Sequence, residues 1–120
     1  MMAGAIAGYS QCLYEGSGKR IGRSDGNYFY DGSGRRIGRT DGQNVFDGFG
    51  RRIGRVDNKY LYNASGVRMG RFDGDYLYDG KGIRIGRIDG NYLYDGNGKR
   101  IGRSDGMSKT ELILFFYYFM

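Results

Sequence analysis

The chain has 120 residues, a formal net charge of +6, 24 glycines and no proline, and this length allows one domain at most. A single cysteine, Cys12, and the lack of histidine exclude a disulfide framework and a Cys/His zinc site. The positive balance suits acidic partners such as nucleic acid, anionic lipid or an acidic protein, or serves only solubility.

Residues 1–10 form a lead-in without a basic segment or a continuous apolar one, so no secretory signal is predicted there. The longest apolar run, 112–120, is far shorter than the roughly twenty residues that a membrane-spanning helix needs. Together these two features predict a cytoplasmic protein.

Six repeats of 16 residues follow, from Gln11 to Gly106. Their shared pattern is Asn-Tyr-Leu-Tyr-Asp-Gly-x-Gly-x-Arg-Ile-Gly-Arg-x-Asp-Gly, with two glycines, two arginines and one aspartate constant in all six copies. A spacing this regular indicates stacked supersecondary units. The repeats are 11–26, 27–42, 43–58, 59–74, 75–90 and 91–106.

Each repeat is predicted to contain two five-residue strands and two three-residue loops. In the second repeat the loops are 32–34 and 40–42, and each ends at a position that needs a left-handed backbone. Glycine and asparagine adopt this conformation most readily, and Asn58 is the single departure from glycine at these positions. The pattern therefore predicts hairpin loops at both ends of every strand.

The predicted register places Phe29 opposite Ile37, Tyr28 opposite Gly38 and Tyr30 opposite Arg36. A tyrosine ring would then cover a strand glycine, and arginine would contact aromatic rings. Asp31 and Arg35 would meet beside the loop and help to fix this register.

The predicted fold is all-β, an antiparallel meander of twelve strands that would extend over roughly 53 Å if left open. The alternative is a parallel β-solenoid with one coil per repeat. That arrangement would stack identical charged residues about 4.8 Å apart, which disfavours it.

One apolar side chain per strand forms the predicted core stripe, which is too thin to bury itself and needs a second layer. The stripe consists of Leu13, Ile21, Phe29, Ile37, Val45, Ile53, Leu61, Met69, Leu77, Ile85, Leu93 and Ile101.

Residues 107–120 are predicted to supply this layer as a C-terminal cap, either a short helix or an extended strand. Ser108 and Thr110 are candidate N-caps, with Glu111 in the first turn. Self-association through this tail or through the end strands, and docking of the tail to a partner, are the alternatives. The candidate cap or docking residues are Leu112, Ile113, Leu114, Phe115 and Phe116.

The repeats predict a non-catalytic structural or interaction protein, because an active site needs a singular constellation and every charged residue here recurs. No cofactor, metal or small-molecule substrate is expected, and the Asp-Gly pairs are interpreted as turns and not as calcium loops. The expected partner is a second copy of the chain or another protein.

A binding module for nucleic acid or an anionic membrane surface is the alternative function, since tyrosine and arginine share one sheet face. The candidate interaction surface comprises Tyr28, Tyr30, Arg36, Arg52, Tyr60, Tyr62, Arg68, Tyr76, Tyr78, Arg84, Tyr92 and Tyr94.

The element Tyr-x-Tyr-Asp-Gly-x-Gly-x-x-Ile-Gly, which recurs within 11–106, resembles MORN repeats and YD repeats. The resemblance implies a meander of hairpins used for scaffolding, self-association or membrane-side docking. The 16-residue period is shorter than that of either family and the Arg-Ile-Gly-Arg element is not theirs, so the resemblance carries over no functional residue.

Overall fold

The structure, a computed structural model, describes residues 11–120, and the predicted lead-in 1–10 lies outside the described residues. Twelve antiparallel strands follow one another as a meander, and the last strand pairs with the first to close a barrel. The all-β meander is confirmed, and the parallel solenoid and the open ribbon are wrong. The strands are β1 Cys12–Glu15, β2 Arg20–Asp25, β3 Tyr28–Asp31, β4 Arg36–Thr40, β5 Asn44–Asp47, β6 Arg52–Asp57, β7 Tyr60–Asn63, β8 Arg68–Asp73, β9 Tyr76–Asp79, β10 Arg84–Asp89, β11 Tyr92–Asp95 and β12 Arg100–Asp105.

The loops that lead from odd-numbered to even-numbered strands have the predicted geometry. In the second repeat the N–H of Asp31 donates to the carbonyl of Arg35 at 2.8 Å, and Gly34 has φ +92°. The Asp31 carboxylate also accepts from the N–H groups of Ser33 and Arg35. The left-handed Gly34 and the Asp31–Arg35 contact are therefore confirmed, whereas the strand bounds make the loop 32–35, one residue longer than predicted.

The turns at the opposite end of the barrel are shorter than predicted. Asp25 pairs directly with Tyr28, so Gly26 and Asn27 alone form that turn. The need for a left-handed backbone is nevertheless confirmed, because Gly26 has φ +63° and Asn58, at +61°, is the only non-glycine residue of 11–120 with positive φ.

A β-bulge where each odd-numbered strand meets the next even-numbered one changes the register. Phe29 pairs with Gly38 and Tyr30 with Arg36, which leaves Ile37 as the extra residue. The predicted pairs of Phe29 with Ile37 and Tyr28 with Gly38 are wrong, since a bulge sets two residues of one strand against one of its neighbour.

The barrel interior contains the odd-strand half of the predicted stripe. Leu13, Phe29, Val45, Leu61, Leu77 and Leu93 are at most 1% exposed. The even-strand half lies at the bulges and is only partly buried against this core: Ile21, Ile37, Ile53, Met69, Ile85 and Ile101.

Beyond β12 the chain folds back into the barrel as helix α1, Lys109–Leu114, followed by the π-helical segment Phe115–Phe119. Ser108 caps α1, because its Oγ accepts from the N–H of Glu111 at 3.1 Å and the Glu111 carboxylate accepts from the N–H of Ser108 at 2.8 Å. The apolar side chains 112–115 are buried in the core. The predicted C-terminal capping segment is confirmed, in its helical form.

Five consecutive aromatic residues of the π-helical segment lie over five inward-facing strand glycines. The predicted cover by strand tyrosines is wrong, because the tail supplies the rings. At Gly102, the sixth equivalent glycine, the nearest atoms to an added Cβ are Tyr14 O, Leu13 Cδ1 and Leu93 Cβ. The pairs are Phe115 with Gly22, Phe116 with Gly86, Tyr117 with Gly70, Tyr118 with Gly54 and Phe119 with Gly38.

Candidate interaction surfaces

Arginine side chains stack on aromatic rings around the outer wall of the barrel. In the first set, six arginine Cζ atoms lie 4.1–4.6 Å from ring centroids: Arg23 on Tyr30, Arg39 on Phe46, Arg55 on Tyr62, Arg71 on Tyr78, Arg87 on Tyr94 and Arg103 on Tyr14. In the second set the distances are 4.7–5.0 Å: Arg36 on Tyr28, Arg68 on Tyr60, Arg84 on Tyr76 and Arg100 on Tyr92.

All but one of the residues predicted as the interaction surface belong to these pairs. The exception is Arg52, which donates to Asn44 Oδ1 at 3.4 Å because asparagine replaces tyrosine there. The structure thus brings the predicted residues together. However, a guanidinium group covers one face of each paired ring. Exposed contacts of this kind stabilise the sheet by about 0.5–1 kcal/mol each.

The two rims of the barrel differ in charge. We call the rim formed by loops 16–19, 32–35, 48–51, 64–67, 80–83 and 96–99, with the strand residues on either side, the basic rim. It carries eleven lysine and arginine side chains and five carboxylates, whereas the rest of the chain carries eight of each. The whole net charge of +6 is therefore located at the basic rim. Its cations are Lys19, Arg20, Arg35, Arg36, Arg51, Arg52, Arg68, Lys81, Arg84, Lys99 and Arg100.

The four aspartates of the basic rim accept hydrogen bonds from backbone N–H groups of their own loops. Asp31 accepts from the Ser33 hydroxyl at 2.8 Å as well as from backbone N–H groups, and these hydrogen bonds hold the pKa of Asp31 below its usual value. The cations of the same loops extend into solvent, with the Arg35 side chain 81% and the Arg51 side chain 76% exposed. In both of these loops the cation is consequently more exposed to solvent than the carboxylate.

Three neighbouring loops of the basic rim also expose apolar side chains. Phe49 is 88% exposed, and Val67 and Ile83 are each 60% exposed. Most other repeats have a polar residue at the positions equivalent to 49, 67 and 83. This difference between repeats is the sequence signal that could have identified the three apolar residues. These three side chains add exposed apolar surface to the cationic rim.

The tail contributes two tyrosines whose hydroxyls reach the wall. Tyr117 donates to the carbonyls of Tyr78 and Arg71 at 2.7 and 3.1 Å, and Tyr118 donates to those of Tyr62 and Arg55 at 2.8 and 3.3 Å. Burial raises the pKa of Tyr118 to about 12 and also raises the pKa of Tyr117.

These raised pKa values predict a loss of stability in alkali. An unfolded tyrosine loses its proton near pH 10, as judged from its reference pKa of about 10, while the folded protein keeps these two hydroxyls protonated. The unfolded state therefore binds fewer protons between about pH 10 and 12, and the free energy of unfolding should fall across that range.

Denaturant titrations at successive pH values measure this effect. The Tyr117→Phe/Tyr118→Phe variant should show a shallower decline above pH 10 than the parent. An equal decline in both proteins would contradict the assignment to these two side chains.

No group of His, Cys, Asp and Glu side chains suited to holding a metal ion occurs in residues 11–120. Within the same range, neither helical segment is long and apolar enough to cross a membrane.

The geometry defines a class of protein, a closed β-barrel of hairpin repeats filled by its own C-terminal segment. Residues 6–120 match the family described as the 5-fold beta-flower protein, and the chain belongs to that family. The expected kinship with short β-hairpin repeat proteins is thereby confirmed in general form, with the beta-flower family in place of MORN or YD repeats. Comparison with curated proteins and with solved structures gave no match.

Proposed function

We propose that the protein is a non-catalytic docking module that binds an anionic lipid surface through its basic rim. The observation that carries this proposal is the location of the whole net charge of +6 at the rim that also exposes Phe49, Val67 and Ile83. Cations near an anionic membrane contribute about 1 kcal/mol each, and apolar side chains add burial in the interface.

Two features favour lipid over nucleic acid as the partner. One face of most wall tyrosines is already covered by arginine, so a base could stack there only by displacing it. In addition, two of the three exposed apolar tips, Val67 and Ile83, are aliphatic and offer no ring for stacking. Aliphatic side chains instead suit the boundary between headgroups and acyl chains.

Docking is also better supported than self-association through the end strands or the tail. Strands β1 and β12 pair with each other, and the tail residues 112–115 are buried in the barrel of the same chain. Both surfaces on which self-association was predicted are thus already in use. The cations and aromatic residues recur around a ring, which supports a broad contact surface and not a single reaction centre.

Binding to vesicles with and without phosphatidylserine tests the proposal, with two variants that remove the same charge. Lys19→Gln/Lys99→Gln neutralises two exposed cations of the basic rim, and Lys59→Gln/Lys109→Gln neutralises two cations elsewhere. At about 1 kcal/mol per cation, the first variant should bind about 30-fold more weakly. The second should stay close to the parent, and rising salt should weaken all binding.

Three results would overturn the proposal. They are equal losses in both variants, no binding to phosphatidylserine vesicles at low salt, and tighter binding to single-stranded oligonucleotides than to vesicles. The last result would instead support the nucleic-acid alternative.

A further inference from the structure

One loop of the basic rim differs in kind from the five equivalent loops. Position 49 is phenylalanine, and its ring is the most exposed of the large apolar side chains in the described chain, at 88%. The Arg51 guanidinium lies 5.7 Å from its centroid. The residues at this position in the other repeats are all polar: Ser17, Ser33, Ser65, Lys81 and Asn97. A singular residue in a repeated array marks a place that the shared architecture does not require.

Phe49 forms one wall of a groove of about 570 Å³ between the second and third repeats. Ile37, the bulge residue, gives a second apolar wall, and Arg35 and Arg36 line the same groove. Arg36 is held in place by its stack on Tyr28 at 4.9 Å. The groove therefore combines two arginine residues with an apolar surface.

The carboxylate of Asp47, the acidic residue of the groove, is already paired with hydrogen-bond donors of its own loop. Asp47 accepts from Arg51 Nε at 3.0 Å and from the backbone N–H groups of Phe49 and Arg51 at 2.9 and 3.0 Å. Arg35, by contrast, has only a 3.9 Å contact to Asp31, which is weak for an exposed pair. The donors of Arg35 are consequently free to meet an anion.

A sister groove of the same construction provides an internal comparison. It lies between the first and second repeats and is lined by Lys19, Arg20, Ile21, Asp31, Gly32 and Ser33. Its cations and bulge isoleucine correspond one for one to those of the Phe49 groove, and serine stands where the ring would be. The two grooves thus differ at the position of the ring, in one cation, where Lys19 replaces Arg35, and in the second arginine, since Arg20 donates to the carbonyl of Gly32 at 3.4 Å.

We infer that the Phe49 groove binds one molecule of an anionic phospholipid, with the phosphate on Arg35 and Arg36 and the first part of an acyl chain on Phe49 and Ile37. Guanidinium groups match phosphate through paired charge-assisted hydrogen bonds, and the ring removes methylene groups from water. This inference rests on the proposed function, because a bilayer at the basic rim would present such molecules to the groove.

Titration with a short-chain phosphatidic acid, kept as monomers and followed by amide chemical shifts and calorimetry, tests the site. We expect one site per chain and weaker binding of both short-chain phosphatidylcholine and glycerol phosphate. Phe49→Ser, which copies the second repeat, removes the apolar wall for the acyl chain and should weaken binding by about tenfold or more. Ser33→Phe should create a second site, so that two lipids bind per chain.

Unchanged thermal unfolding of both variants excludes misfolding as the cause. Equal binding of glycerol phosphate and the short-chain lipid, or unchanged affinity after Phe49→Ser, would overturn the inference. If vesicle binding depends on Lys19 and Lys99 but no monomeric lipid binds, the groove site is wrong and the docking function stands. If monomeric lipid binds in the groove but vesicles do not bind, the docking function is wrong and the groove site stands.

Discussion

Replacing Phe115 with alanine should lower the free energy of unfolding by about 3–5 kcal/mol, the usual cost of removing a buried phenylalanine. Phe115 is 2% exposed, and its ring meets that of Phe29 edge-on at 6.2 Å between centroids. The same ring lies against Gly22 so closely that a methyl group there would overlap with it.

Gly22→Ala alone should therefore lower the free energy of unfolding by about 1–3 kcal/mol through overpacking.

The two substitutions should not add, because alanine at residue 115 leaves room for the methyl group at residue 22. In the double variant the cost of Gly22→Ala should fall close to zero, a coupling that a four-protein denaturation cycle measures. Gly102→Ala is the matched control, since the closest neighbour of its methyl group would be the Tyr14 carbonyl at 3.1 Å and none of the three nearest atoms belongs to an aromatic ring. Strict additivity of the Gly22 and Phe115 effects would show that the ring does not occupy this place.

Removing residues 108–120 should abolish the cooperative unfolding transition. The truncation deletes four buried apolar side chains, 112–115, worth on the order of 8 kcal/mol at about 2 kcal/mol each. That sum is comparable to the whole stability of a typical domain, 5–15 kcal/mol. The exposed interior should then drive association, which light scattering detects alongside circular dichroism during heating.

Deleting Met120 alone gives the control for this truncation, because Met120 is 54% exposed. That variant should unfold at the same temperature as the parent and scatter light as a monomer. A truncated chain 1–107 that stayed monomeric and kept its unfolding midpoint would contradict the role of the tail as the barrel core.

Local chemistry made part of the fold predictable from the sequence. The left-handed positions at Gly34 and Asn58, the contact of Asp31 with Arg35 and the inward position of Phe29 each depend on residues within one hairpin. Ser108 and Glu111 likewise identify the start of α1 within four residues of sequence. These features are decided by backbone conformation and period-two hydropathy, which a sequence displays directly.

Barrel closure and the insertion of the tail depend on contacts between distant residues. Tyr117 and Arg71 are 46 residues apart, and Tyr118 and Arg55 are 63 apart. The correspondence of five aromatic residues with five inward glycines becomes visible only once the ring is closed. The bulge is hidden for a related reason, since Ile37 has the hydropathy of a core residue and its displacement comes from the curvature of the sheet.

The candidate surface was only partly predictable, because residues from the two ends of the barrel alternate along the sequence. Arg36 and Arg39 are close in sequence, yet Arg36 belongs to the basic rim and Arg39 to the other half of the strand. Composition gives only the total charge of the chain. The strand bounds are needed to show at which end of the barrel each charged residue lies. The sequence pattern groups the wall residues Tyr28 and Tyr60, but it does not show that the net charge is concentrated at one rim.

The tail also fixes how many repeats the protein can have. Residues 116, 117, 118 and 119 lie over the fifth, fourth, third and second repeats in turn. Successive residues of the C-terminal segment therefore contact successive repeats of the barrel. In an open repeat array, a unit can be duplicated or lost while its neighbours keep their contacts. Here Gly102 of the sixth repeat already lacks an aromatic partner, but gain or loss of another unit would alter the circumference of the barrel and shift the aromatic residues 115–119 away from their glycines. Repeat number and tail sequence must therefore change together during evolution.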